Sequence, residues 1–167
     1  MRIVDSVLME LEQEAKTTKR VLERVPEDKL GWKLHQKSMT LGQLAFHIAT
    51  TPGSIAEMVV PDCCDLKPDA FKGPRTPSTK AEILEAFQQN LAAAREALNK
   101  LDDVAMSATW RLTIGGKDML SVPRIGFIRS VMLNHSYHHR GQLSVYLRLL
   151  DVPVPSIHGP SADENPY

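Results

Sequence analysis

The segment NHSYHHRGQ, residues 134–142, places His135, His138 and His139 close together and follows them with Arg140, Gly141 and Gln142. On a helix advancing about 100° per residue, with His135 at zero, the residues Ile125, Ile128, Met132, His139, Gln142, Leu143, Tyr146 and Leu150 fall between roughly −20° and +80°. His135 and His139 are expected in the middle of that inward stripe, one turn apart and close enough to share a cation. His138, at about −60°, lies at its margin. His47 shares the apolar side of an earlier helix with Leu44, Ile48 and Thr51, so it too is expected to point inward. Three neutral imidazoles suit zinc, nickel, copper or iron(II), and a set of three protein ligands leaves a coordination position open for water or substrate. The plainer alternative is that these histidines are core residues satisfied by internal hydrogen bonds. The spacing is not the zincin motif, because Ser136 stands where that motif has its glutamate, and the Glu-x-x-His pattern of di-iron bundles is absent.

The elements that must position these side chains can be read from periodicity. Residues 3–24 carry Ile3, Val4, Val7, Leu8, Leu11, Ala15, Val21 and Leu22 at helical intervals. After the turn-rich stretch VPEDKLGWKLHQKSM, Thr40 is the expected N-cap of LGQLAFHIATTPGSIAEMVV, with a kink or break expected at Pro52 and Gly53. Residues 61–77 hold four prolines and a glycine and are expected to form a long crossing loop. Thr79 and Glu82 form a capping-box pattern ahead of a third helix bearing Ile83, Leu84, Phe87, Leu91, Ala94 and Leu98. Alternation around Gly115 and Gly116 in residues 108–120 suggests a short hairpin or an irregular connection. Ser121 can cap a last helix running to about Leu150, with Pro123 in its first turn. Four helices of comparable length predict an all-α fold, a four-helix bundle forming one domain over residues 1–167.

Composition narrows the function. The 167 residues are 43% apolar and 24% charged, as in an ordinary globular chain. Twenty basic and twenty acidic side chains cancel, so no electrostatic footprint for a nucleic acid is expected. The N-terminal residues lack the pattern of a signal peptide, and no apolar run approaches 18 residues, which predicts a cytoplasmic protein without a membrane partner. Cys63 and Cys64 are adjacent, a poor arrangement for a disulfide, and lie too far along the chain from His47 to be counted as ligands. Trp32 and Trp110 are read as packing residues under loops, and His35 as a solvated loop residue.

The combination of LGQLAFHIA, PEDKLGWKLHQKSMTLGQL and NHSYHHRGQLSVYLRLLDVPVPSIHGPSADE resembles the DinB family of metalloenzymes, over nearly the whole chain. The resemblance implies a four-helix bundle of up-down-down-up type, commonly a homodimer, and a divalent metal ion held by His47, His135 and His139. Zinc or nickel comes first, with iron or manganese as alternatives. It also places Arg140 and Gln142 in the signature without assigning their roles. Where relatives often have an aromatic residue before Gly-Pro-Ser-Ala-Asp, this chain has His158, expected to be a solvated loop histidine. Family members resemble thiol S-transferases and metal-dependent hydrolases. The expected function is therefore a metal-dependent enzyme acting on a small-molecule substrate, such as a low-molecular-weight thiol. The alternative is a non-catalytic bundle in stress response that binds a metal or small ligand. No general base is identified, Asp163 and Glu164 being the nearest guess by motif.

Overall fold

In the computed structural model of this chain the described residues are 1–70, 73 and 75–167. Helix α1, Ile3–Glu23, buries Val4, Val7, Leu11, Ala15, Thr18, Val21 and Leu22, a spacing that keeps one stripe inward over its length. Its first turn is closed by Asp5, whose carboxylate accepts from the Arg2 backbone N–H at 2.8 Å. Helix α2, Leu41–Met58, starts where Thr40 Oγ1 accepts from Gln43 N–H and the Gln43 side chain accepts from Thr40 N–H, both at 3.0 Å. That reciprocal cap satisfies two backbone donors that the first turn of a helix leaves open.

The break expected at Pro52 is not there: α2 runs through Pro52 and Gly53 to Met58. Proline deletes one helical hydrogen bond, but both residues are buried against neighbouring elements, and tertiary packing holds the helix together across the gap. Gly53 is what allows the close approach to α3, Lys80–Asn99. A Cβ at position 53 would lie 2.8 Å from the Asn90 carbonyl oxygen and 2.9 Å from its Cα. Thr79 caps α3 by accepting from Glu82 N–H at 3.1 Å, but the Glu82 carboxylate turns to the Ser78 N–H instead of closing the box.

The expectation of an all-α fold with at most a short hairpin before the last helix is corrected by a three-stranded sheet ordered β1-β2-β3. Strand β1, Cys63–Leu66, falls within the stretch read as a loop, whose residues 71, 72 and 74 lie outside the described residues. It pairs in parallel with β2, Thr109–Ile114, in the register Cys63↔Arg111 to Leu66↔Ile114. A four-residue strand among prolines, with a partner more than forty positions away, leaves no local signature. The hairpin of β2 with β3, Lys117–Pro123, does have one: Gly115 and Gly116 both take positive φ, +55° and +76°, as its two-residue turn requires. Short helix α4, Asp103–Ser107, leads into β2. Trp110 of β2 is wholly buried with its ring 4.3 Å from that of Phe127, so the sheet closes one of two apolar clusters, the one containing Val4, Val7, Leu98 and Met106.

The last helical stretch begins at Arg124, after Pro123, and not at Ser121, which lies in β3. It consists of α5, Arg124–Phe127, a π-helical segment, Ile128–Asn134, and α6, His135–Leu149. Each π turn takes in an extra residue, so the helix that follows is rotated relative to the one before. Helix α2 packs on α3 and on α6, while α1 packs on α3 and more sparingly on α6. The second apolar cluster, around Leu22, Leu41, Leu44, Ile48, Ile83, Leu143 and Leu147, fills the space between them. Each such side chain contributes about 1.5–3 kcal/mol relative to exposure.

Gly53→Ala is expected to destabilise the protein by about 1–3 kcal/mol in denaturant unfolding, because overpacking against the Asn90 backbone outweighs the gain in helix propensity. Gly126→Ala, at an exposed helical site with no atom within 4 Å of the added Cβ, is expected to stabilise by about 0.5–1 kcal/mol. Equal effects at the two positions would contradict the close helix approach.

Candidate metal centre

Two helix starts set this site. The Thr40 cap fixes α2, and His47 follows two turns later beside the buried Leu44 and Ile48. The π segment delivers His135 as the first residue of α6. There the three rings converge: one nitrogen from each of His47, His135 and His139 can be chosen so that all lie within 4.8 Å of one another. Ring centroids are 5.1 Å apart for His47 and His135, 4.6 Å for His47 and His139, and 4.3 Å for His135 and His139.

The hydrogen bonds orient the rings. His139 Nδ1 donates to Gln142 Oε1 at 2.7 Å, which leaves the Nε2 lone pair free. The Thr51 hydroxyl donates to the His47 carbonyl at 2.7 Å, and its oxygen stands 3.5 Å from His47 Nδ1. His47 Nε2 and His135 Nε2 face each other at 2.9 Å, within hydrogen-bonding distance. A cation relieves such a confrontation, since both lone pairs can then point at it. Burial pushes the pKa of all three rings down, assisted for His47 by His135 and for His135 by His138. His139 is pushed furthest, to about 4: burial and the neighbouring histidines outweigh the opposing Gln142 bond. The rings are therefore neutral near pH 7, the form that ligates a metal. They are half-buried, so the cluster is desolvated yet reachable from solvent. By donor type and convergence, the three side chains can hold a divalent ion.

The helical-wheel expectation holds for one member of the pair and not for the other. The buried residues of α6 are Arg140, Leu143, Tyr146 and Leu147, which centre near 90° on the same wheel at about 100° per residue. His139, at about 40°, lies inside this buried arc of roughly 20–140°, between Tyr146 and Leu143, while His135, at 0°, sits just outside it on the side toward α2. Arg140 occupies the opposite margin, toward α1. His138 is exposed, with its ring centroid 5.0 Å from that of His139. His35 is exposed, accepting from Lys37 N–H at Nδ1. Cys63 and Cys64 are free thiols on β1 and do not join the cluster. Trp32 packs edge-on against Tyr146, and Trp110 lies in the core.

His158 is exposed as expected, but it is not solely solvated: its Nε2 accepts from Arg140 Nη2 at 2.9 Å. Asp163 and Glu164 act as clamps for the C-terminal segment and are not members of the three-histidine group. Asp163 pairs with Arg148 and accepts from Val154 N–H at 2.9 Å. Glu164 pairs with Arg20 and accepts from Ser156 N–H at 2.6 Å. Glu14 and Thr18 of α1, the partners of Arg140, escaped sequence reasoning altogether. Thr51 sits four residues after His47 and Gln142 three after His139, spacings that could have marked both as orienting groups.

A mainly helical chain with a small sheet and a three-histidine cluster capable of holding a metal is the class that fold and site define. The chain belongs to the DinB family, whose sequence model matches residues 2–165. It is 27% identical over 165 residues to the uncharacterized protein YrdA of Bacillus subtilis, covering 96% of this chain and 91% of that one. Its fold is similar to that of a DinB-like protein from Bacillus cereus, with a TM-score of 0.70, 21% identity and coverage of 94% of this chain and 98% of the other. The DinB-like protein YjoA from Bacillus subtilis is also similar, with a TM-score of 0.66 at 18% identity, covering 89% and 96%.

The tail clamps have a defined pH signature. Arg148 holds Asp163, and the Ser156 N–H with Arg20 holds Glu164, below their ordinary carboxylate values. A lowered native pKa contributes stability above the unfolded value and loses it as pH falls through the native one. The Val154 and Ser156 amide resonances are expected to titrate with midpoints below the ordinary 3.8 and 4.5. Midpoints at or above those values would show that the clamps do not form.

Proposed function

We infer that this protein is a metal-dependent enzyme acting on a small molecule, with His47, His135 and His139 as the ligands of one divalent ion per chain. The convergence of the three ring nitrogens within 4.8 Å carries the reading. An all-imidazole donor set favours zinc or nickel over iron, and over manganese, which prefers oxygen ligands. When bound, such an ion supplies Lewis acidity and an open position for an exogenous group, chemistry suited to thiol S-transfer or to hydrolysis. The chain's own contribution is positional. Gln142 holds His139 in one tautomer, Thr51 stands at the Nδ1 side of His47, and burial keeps all three rings unprotonated. The balanced net charge favours a small-molecule substrate over a nucleic acid.

The same reading takes residues 1–167 as a single domain whose four long helical segments form an up-down-down-up bundle, working in the cytoplasm. No helix among the described residues is long and apolar enough to cross a membrane. Val145 and Leu149 expose apolar surface on α6, which supports pairing with a second copy of the chain. One observation favours the non-catalytic alternative: the metal-capable group contains no carboxylate, so no general base stands among its members.

Elemental analysis of protein purified without a histidine tag is expected to give one divalent ion per chain. His135→Ala and His139→Ala should abolish loading while His138→Ala retains it, and equal loss in all three would contradict the ligand assignment. Metal-loaded protein is expected to accelerate either transfer of a cellular thiol to a model electrophile or hydrolysis of a small amide or ester. Rates equal to those of His139→Ala in both screens would favour the binding module. Light scattering is expected to give the dimer mass, and a monomer mass at micromolar concentration would contradict pairing.

A further inference from the structure

Arg140 is 2% exposed, unusual for a residue that is normally solvated, and it follows the ligand candidate His139 directly. Both terminal nitrogens of its guanidinium are engaged. Nη2 lies 2.6 Å from Glu14 Oε2, although off the axis of a hydrogen bond, so that buried oxygen is paired electrostatically without an aligned donor. Nη1 donates to Thr18 Oγ1 at 3.1 Å and to the Glu14 carbonyl at 3.3 Å. Nη2 also donates to His158 Nε2 at 2.9 Å, and the Tyr137 ring lies beneath the guanidinium, 5.4 Å away. The arginine therefore ties α6 to α1 and to the C-terminal segment at one point.

That point lies across the inward stripe from the histidines. On the helical wheel Arg140 is about 100° from His139 and 140° from His135, at the opposite margin. A helix with its side chains has a radius of about 5–6 Å, so a roll of 10° moves a ring nitrogen by about 1 Å. Metal ligation tolerates about 0.2 Å. Apolar contacts alone resist roll weakly, because they are non-directional. A planar fork engaging Glu14, Thr18 and His158 is directional and resists it.

We propose that Arg140 is a positioning residue for the three-histidine centre, fixing through Glu14, Thr18 and His158 the roll of α6 at which His135 and His139 face His47. As a statement about the metal the proposal rests on the ligand assignment above; as a statement about ring placement it stands without it. Two readouts separate the cases, cobalt(II) binding followed by its visible spectrum, and histidine ring nitrogen shifts in the metal-free protein. Both are taken well below each variant's unfolding temperature. Arg140→Met is expected to weaken cobalt binding about tenfold or more, the range for a group that orients ligands. It should also alter the ligand-field bands and shift the ring resonances of His47, His135 and His139. Arg140→Lys, which keeps the charge but loses the fork, is expected to fall between wild type and Arg140→Met. Should Arg140→Met fail to fold, Thr18→Val and Glu14→Gln each remove one arm and are expected to move the same signals in the same direction. Folded variants with wild-type cobalt affinity, spectrum and ring shifts, differing only in thermal stability, would overturn the proposal. Wild type that binds no cobalt would overturn the ligand assignment instead, leaving the ring shifts to decide the role of Arg140.

Discussion

The roll of the last helix about its own axis is the constraint on which the rest of the site depends. Helix α6 serves two partners with two sides of one face: imidazoles toward His47 of α2, a guanidinium toward Glu14 of α1. Between them Leu143, Tyr146 and Leu147 fill the interior. Apolar burial decides that the helix docks, and polar geometry decides at what angle. An ion pair as buried as Arg140–Glu14 adds little net stability over an apolar pair of similar volume, whereas removing one partner costs about 3–5 kcal/mol. Its presence is therefore better explained by the angle it imposes than by the stability it brings.

The histidine cluster is the complementary half of that constraint. Taking three imidazoles partly out of water disfavours their protonation, and proximity to one another reinforces this. What results is a set of lone pairs held close together with few protons to satisfy them, a costly arrangement for packing and a useful one for a cation. Gln142 and Thr51 are inexpensive additions on the same two helices, each within a turn of the ring it addresses.

Much of this was legible in the sequence, for reasons that differ by element. His47, His135 and His139 could be singled out because polar residues on apolar helix faces are conspicuous. What was not legible is that Arg140 and Leu147, and not Gln142, complete the buried face of α6, which moves its centre away from His135. Arg140 fell outside the inward set because arginine rarely is buried, and its acidic partner lies on the first helix, where Glu14 reads as one more charge on a solvated face. Strand β1 was hidden for a related reason: parallel pairing is a long-range event that four residues, CCDL, do not announce. The Gly-Gly turn, by contrast, is local chemistry, and the hairpin was legible from it. Pro52 does not break α2 because a deleted hydrogen bond is a local penalty, and the packing of α2 on α3 and α6 outweighs it.

The most direct test of the central claim, that three imidazoles of this chain form one metal centre, is X-ray absorption spectroscopy on the zinc-loaded, tag-free protein. The account predicts three nitrogen scatterers at about 2.0–2.1 Å carrying the outer-shell pattern of imidazole. A sulfur shell at about 2.3 Å, which would implicate Cys63 or Cys64, or a shell of oxygen alone, would contradict it.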